Sequence, residues 1–146
     1  MRQTAFRDQL WAAASSQGAR SLRAQKAADV IRRSRAYRWV GIYEVEREDL
    51  ALVAWSGFGD HPDALPVPAE GLCGAALQTG TAVVAGSCSK IVVPIVQGRA
   101  VIGFIDVESD PLPALGANER AVLEGCASVL AVLWADGKRH FGGLAR

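Results

Sequence analysis

Residues 90–108 read KIVVPIVQGRAVIGFIDVE. Two apolar runs, KIVVPIV (90–96) and AVIGFIDVE (100–108), flank Gly98-Arg99. Glycine in first place of a two-residue connection suits a type II′ turn, so the stretch predicts a β-hairpin. Pro94 has no N–H for a ladder, which predicts that its strand is irregular or exposed at one edge there. In the second strand Asp106 and Glu108 stand two apart, so their side chains leave the same side, together with Ile102 and Phe104. Two carboxylates on an otherwise apolar face either meet a cation-like group or lie at the strand's wet end, and the residues alone leave both readings open.

Working outward from this hairpin, the preceding segments also have strand character. RWVGIYEV (38–45) is rich in aromatic and β-branched residues, and LALVAW (50–55) follows a polar turn at Glu46 to Asp49, which predicts a second hairpin. TAVVA (81–85) reads as a brief strand. Between them, SGFGDHPDALPVPAE (56–70) carries three prolines and two glycines and reads as a long loop, a length that compact domains tend to reserve for function. GLCGAALQT (71–79) reads as a short helix ended by Gly80. Residues 3–16 and 19–36 read as helices, with Phe6, Leu10 and Ala13 on one face of the first and Ala27, Val30 and Ile31 on the second. After a proline-containing loop (109–116), Asn118 is placed to cap a last helix running to about residue 136, its stripe made of Val122, Cys126, Val129, Leu130 and Leu133. Hairpin-joined strands are antiparallel, so the chain reads as an α+β layer with its terminal helices on one sheet face. Residues 1–146 form one domain in this reading, with 1–18 a helical extension and 137–146 a flexible tail.

Composition narrows the function classes. The 146 residues are 50% hydrophobic and 21% charged, enough for a single core. The net charge is +1, although residues 1–38 hold nine basic and two acidic side chains. Those basic residues alternate with alanine and match no nucleic-acid motif, so they read as a solvated helix face. No apolar run is long enough to span a membrane, and Asp8 and Gln9 interrupt the place where a secretory apolar stretch would sit. Three cysteines do not make a disulfide framework, and a reducing cytoplasm is the expected compartment.

The chemistry-bearing residues are few. Cys73 opens the short helix, where the backbone dipole favours a thiolate, and Cys88 stands two residues before Lys90, whose charge does the same. Small-residue packing accounts for both cysteines equally well. Cys126 falls on an apolar stripe, as a small hydrophobe does. His61 and His140 have no ligand-like spacing, and no metal or cofactor is expected. Trp39, Tyr43 and Trp55 either line a chamber beneath the long loop or belong to the core.

Taken together, WVGIYEV, GLCGAALQTG, KIVVPIV and RAVIGFIDVES resemble a GAF domain over roughly residues 20–135. Their wording is most similar to the free methionine-(R)-sulfoxide reductases, single-domain GAF enzymes that use cysteine thiols regenerated by thioredoxin. The resemblance implies an antiparallel sheet of five to six strands. The terminal helices would lie on one face, with a small helix and the long loop over a ligand pocket on the other. It also implies that Cys73 matches a resolving thiol, and that Asp106 and Glu108 match a carboxylate pair that holds the substrate. The family's longer catalytic-cysteine loop is here reduced to AGSCSK (85–90), and Lys90 stands where the family has a glutamate. The expectation is therefore a regulatory domain, no longer catalytic, that binds a small polar or anionic ligand through Trp39, Tyr43, Trp55, Cys73, Lys90, Asp106 and Glu108. Such a domain is expected to form a homodimer through its terminal helices and to act on a partner kinase. The alternative is a reductase with Cys88 as nucleophile and Cys73 as resolving thiol, and a third class is a scaffold with a filled pocket.

Overall fold

The computed structural model describes residues 2–47, 49–57, 67–68, 71–85, 90–109 and 117–135. Helices α1 (Arg2–Ala14) and α2 (Arg20–Arg35) come first, then strands β1 (Trp39–Glu46), β2 (Asp49–Gly57) and β3 (Val67–Pro68). Helix α3 (Gly71–Thr79), strands β4 (Val83–Val84), β5 (Lys90–Gln97) and β6 (Ala100–Glu108), and helix α4 (Ala117–Leu130) complete the order. A 3-10 turn over Ala131–Trp134 ends the described chain. Both hairpins form where the sequence predicts them. All strand pairs are antiparallel, in the order β3-β2-β1-β6-β5-β4. The two predicted hairpins thus meet along their inner strands, β1 against β6.

Three local expectations change. The predicted loop 56–70 begins with the last two residues of β2, and within it Val67–Pro68 pair with Asp49–Leu50 as an edge strand. A two-residue bridge at an edge is set by its neighbour, and Pro68 costs no ladder there. Asn118 lies within α4, one residue past its start, rather than capping it. Ile102 is an unpaired residue where the β5–β6 register shifts, so it joins the helix-side cluster instead of sharing Phe104's side. Pro94 behaves in part as expected: β4 pairs only with Ile91 and Val92, so the ladder on that side has ended before Pro94, whose side chain is nevertheless buried.

The helices make two layers on one sheet face. α2 lies over β1 and β2, α4 lies over β5, and α1 packs outside them against α2 and α4. Ile31, Val40, Ile42, Ile91, Ile95, Ile105, Leu123 and Leu130 are fully buried between helices and sheet. Of the predicted stripe, Cys126, Leu130 and Leu133 are buried as expected; it is rotated in part, since Leu123 and Ala127 are buried with them, whereas Val122 and Val129 are only partly covered. Polar anchors tie the layers. Arg20 forms two bonds to the Glu44 carboxylate, 2.8 and 2.9 Å, while the Trp134 indole N–H donates to it at 3.2 Å. Gly103 makes room for that indole, since a Cβ there would come 2.9 Å from the Trp134 ring. The predicted tail 137–146 lies outside the described residues.

Candidate functional site

Antiparallel partners point to the same face, so the register decides which side chains meet on the face away from α2 and α4. Gly41 stands opposite Asp106 on one side and Trp55 on the other; Tyr43 stands opposite Phe104; Trp39 and Lys90 both stand opposite Glu108; Val92 stands opposite Asp106. α3 covers part of this face, and Leu72, Cys73 and Leu77 pack with Leu50, Ala76, Val92 and Phe104. Trp39, Tyr43, Trp55, Cys73, Lys90, Asp106 and Glu108 are thus all brought to one side of the sheet. Cys88 and His61 lie outside the described residues.

The aromatic wall is built around a glycine. Trp39 and Trp55 stack with centroids 5.0 Å apart and planes 19° from parallel. A Cβ at Gly41 would lie 3.0 Å from the Tyr43 ring and 3.2 Å from Trp39 Nε1, so a larger residue would push these rings by a few tenths of an ångström. The Gln25 side-chain amide donates to the Trp55 carbonyl at 2.6 Å, which ties the tryptophan's strand to α2 on the opposite face. Gly41 was not singled out in the sequence, because its role depends on how the Trp39 and Tyr43 rings, two residues away on the same strand, lean over it.

The two carboxylates have separate environments. Glu108 is partly exposed and accepts a bond from Arg38 at 2.8 Å, the wet-end arrangement. Asp106 is 7% exposed. Its Oδ2 lies 3.5 Å from Lys90 Nζ, and its Oδ1 has no hydrogen-bond partner among the described residues. Burial raises the Asp106 carboxyl to about 6 against the opposing pull of Lys90, with Glu108 adding to the rise. A buried acceptor left without a donor is costly, and such groups normally have a protein, water or ligand partner.

Cys73 differs from expectation. Burial first, and the Asp106 charge second, push its thiol up to about 11, against a lowering by Lys90. The helix position does not produce a thiolate, because the site's apolar wall and nearby carboxylate outweigh it. Tyr43 is pushed up to about 12 by burial and then by Asp106, so it is a neutral phenol. Among the described residues, the face combines aromatic surface, the Lys90 ammonium, and a buried Asp106 oxygen with no hydrogen-bond donor.

No family model matches the chain, and no curated protein matches it. Solved structures do. The free methionine-R-sulfoxide reductase from Neisseria meningitidis, in complex with its substrate, superposes with a TM-score of 0.75 at 22% identity, over 96% of this chain and 94% of that one. The GAF domain of the Acinetobacter phosphoenolpyruvate-protein phosphotransferase gives 0.78 at 14% identity, over 93% and 95%. The GAF domain of A. aeolicus nlh2 in an inactive state gives 0.75 at 12%, over 92% and 96%. The chain therefore has the GAF fold, an α+β antiparallel sheet with helices on one face. That fold accommodates both sensory domains and sulfoxide reductases, and the likeness does not choose between them.

Proposed function

We propose that this chain is a regulatory GAF domain that binds a small polar ligand on the open sheet face and performs no chemistry on it. The observation that carries this reading is the buried Asp106 Oδ1 without a partner among the described residues, set beside Lys90 on the face that carries the stacked tryptophans. A ligand with a hydrogen-bond donor for Asp106 and an anionic group for Lys90 satisfies both charges, and Trp39, Tyr43 and Trp55 cover its apolar part. The expected setting is cytoplasmic, with a partner kinase as the reader of occupancy; among the described residues no helix is long and apolar enough to cross a membrane. Self-association through the terminal helices belongs to the same proposal, supported by Trp11, 52% exposed on α1. Light scattering at tens of micromolar tests that part, and a monomer throughout removes it.

A thermal-shift screen of α-amino acids and small organic acids tests the ligand site. A stabilising compound whose effect is lost in both Lys90→Met and Asp106→Asn is the expected result. Stabilisation unaffected by either substitution moves the ligand elsewhere.

The second reading is the reductase, favoured by the position of Cys73 beside Asp106 on this face. Against it stand the raised Cys73 thiol and the cationic Lys90. A thioredoxin-coupled NADPH assay on free methionine-(R)-sulfoxide separates the two. Turnover abolished by Cys88→Ser establishes the reductase; background rates in both proteins leave the regulatory reading.

A further inference from the structure

On the helical side, away from the open sheet face, a cavity of about 650 Å³ opens between α1, α2 and α4. That volume falls within the ~300–1,000 Å³ typical of small-molecule sites. Phe6, Leu10, Val122, Cys126 and Val129 give it an apolar interior, and Leu10 and Cys126 are almost fully buried. Two guanidinium groups, Arg7 and Arg35, line it as well, and among the described residues no acidic side chain does. Arg35 is held by Glu119, its Nε and Nη2 donating at 3.3 and 2.6 Å. Arg7 has no ion pair among the described residues.

Arg7 is an exposed side chain on α1. Its Nη2 lies 3.7 Å from where a Cβ on Gly125 would be, so the guanidinium reaches from α1 across the cavity to α4. Gly125 sits inside α4, where glycine costs about 1 kcal/mol relative to alanine. Its bare backbone keeps that wall open. The neighbouring Cys126 is pushed up to about 12 by burial, against lowering by Arg35 and Arg7, so the thiol is neutral and behaves as apolar surface. The result is an apolar chamber with an exposed guanidinium at its rim that has no ion-pair partner among the described residues.

We propose that this cavity is a second binding site, distinct from the sheet face, for an amphipathic monoanion: an apolar tail among Phe6, Leu10, Val122 and Val129, and a carboxylate on Arg7. The guanidinium offers two parallel donors to a carboxylate, a geometry that an ammonium or a neutral amide lacks.

Calorimetric titration with decanoate, and with decyltrimethylammonium as a probe of like tail and opposite charge, tests it. The expected result is one decanoate per chain, bound at least about tenfold more tightly than the cation. Arg7→Gln weakens decanoate about tenfold and leaves the cation unchanged. Gly125→Leu weakens both by filling the wall; Ala121→Phe, at an exposed position lining the cavity, does the same should Gly125→Leu fail to fold. Equal binding of the two probes, an unaltered decanoate affinity in Arg7→Gln, or no heat at about 1 mM overturns the proposal. It is also overturned if Lys90→Met rather than Arg7→Gln abolishes decanoate binding, which puts the probe on the sheet face. A dimer that Gly125→Leu dissociates in sedimentation gives the cavity to a second copy. Arg7-dependent pelleting with anionic phospholipid vesicles, without decanoate binding, gives it to a membrane surface. Either result overturns the assignment to a free monoanion.

Discussion

The carboxylates of the helical side and Asp106 on the other face are handled differently, although Glu108, on the same face as Asp106, is paired with Arg38. On the helical side Glu44 accepts from Arg20 and Trp134, and Glu119 accepts from Arg35 and from the Tyr37 hydroxyl. On the open side Asp106 has a single distant ammonium and one oxygen without a partner among the described residues. The titration behaviour follows. Burial acts to raise Glu119, but the bonds from Arg35 and Tyr37 prevail and hold it below its usual range. At Asp106 burial prevails and the carboxyl rises to about 6. A satisfied carboxylate anchors helices to strands; an unsatisfied one is a place for something else to bind.

The largest effect that tests this contrast comes from the helical core. Ile105→Ala removes a fully buried side chain from between sheet and helices and is expected to cost about 2–5 kcal/mol in urea denaturation. A cost below about 1 kcal/mol would mean that this face is not the stabilising one. Next in size, Glu44→Ala leaves the Trp134 indole N–H without its acceptor and frees Arg20, for an expected loss of about 1–3 kcal/mol.

Asp106→Asn is expected to act in the opposite direction. The folded pKa of about 6 lies above the unfolded value of 3.8, so over that window the native state binds the proton that the unfolded chain has released. The Asp106 contribution is therefore fully present below about pH 4 and is lost as pH rises through about 6. Removing the charge stabilises the protein by about 1–3 kcal/mol at pH 7 and flattens stability between pH 4 and 6. Glu119 has the reverse sign: its folded pKa is depressed, so its contribution is present above the unfolded value of 4.5 and is lost as pH falls through the folded one. Denaturation curves across pH 3–7, for the parent, Asp106→Asn and Glu119→Gln, separate the two signs. A parent whose stability rises steadily from pH 4 to 7, unchanged by Asp106→Asn, would remove the distinction between the faces.

The smallest effect is kinetic. With its thiol near 11, Cys73 should alkylate with iodoacetamide far more slowly at pH 7.5 than a free thiol, and faster in Asp106→Asn, which removes one of the charges raising it. Rapid labelling at neutral pH would return the site to thiol chemistry.

Much of this organisation was legible in the chain. The hairpin at Gly98-Arg99 is local turn chemistry, and the i, i+2 spacing of Asp106 and Glu108 places both on one side because the ladder is regular there. The rotation of the α4 stripe toward Leu123 and Ala127 was not legible, because several neighbouring apolar residues offer more than one face and packing against β5 selects among them. Ile102 was misplaced for a related reason: alternation holds only while the ladder is regular, and the register shift there is a property of two strands together.

What the sequence by itself determined was most of the elements, their antiparallel pairing within hairpins, and the shared side of Asp106 and Glu108. These rest on interactions between residues close in the chain, where propensity and period act directly. Only the tertiary structure decided that Glu108 is held by Arg38 while Asp106 is buried with an open oxygen, that Cys73 is a neutral thiol, and that Arg7 spans a cavity to Gly125. The physical reason is that burial and charge pairing are set by residues far apart in sequence, so the same carboxylate or thiol has a different character until its neighbours are in place.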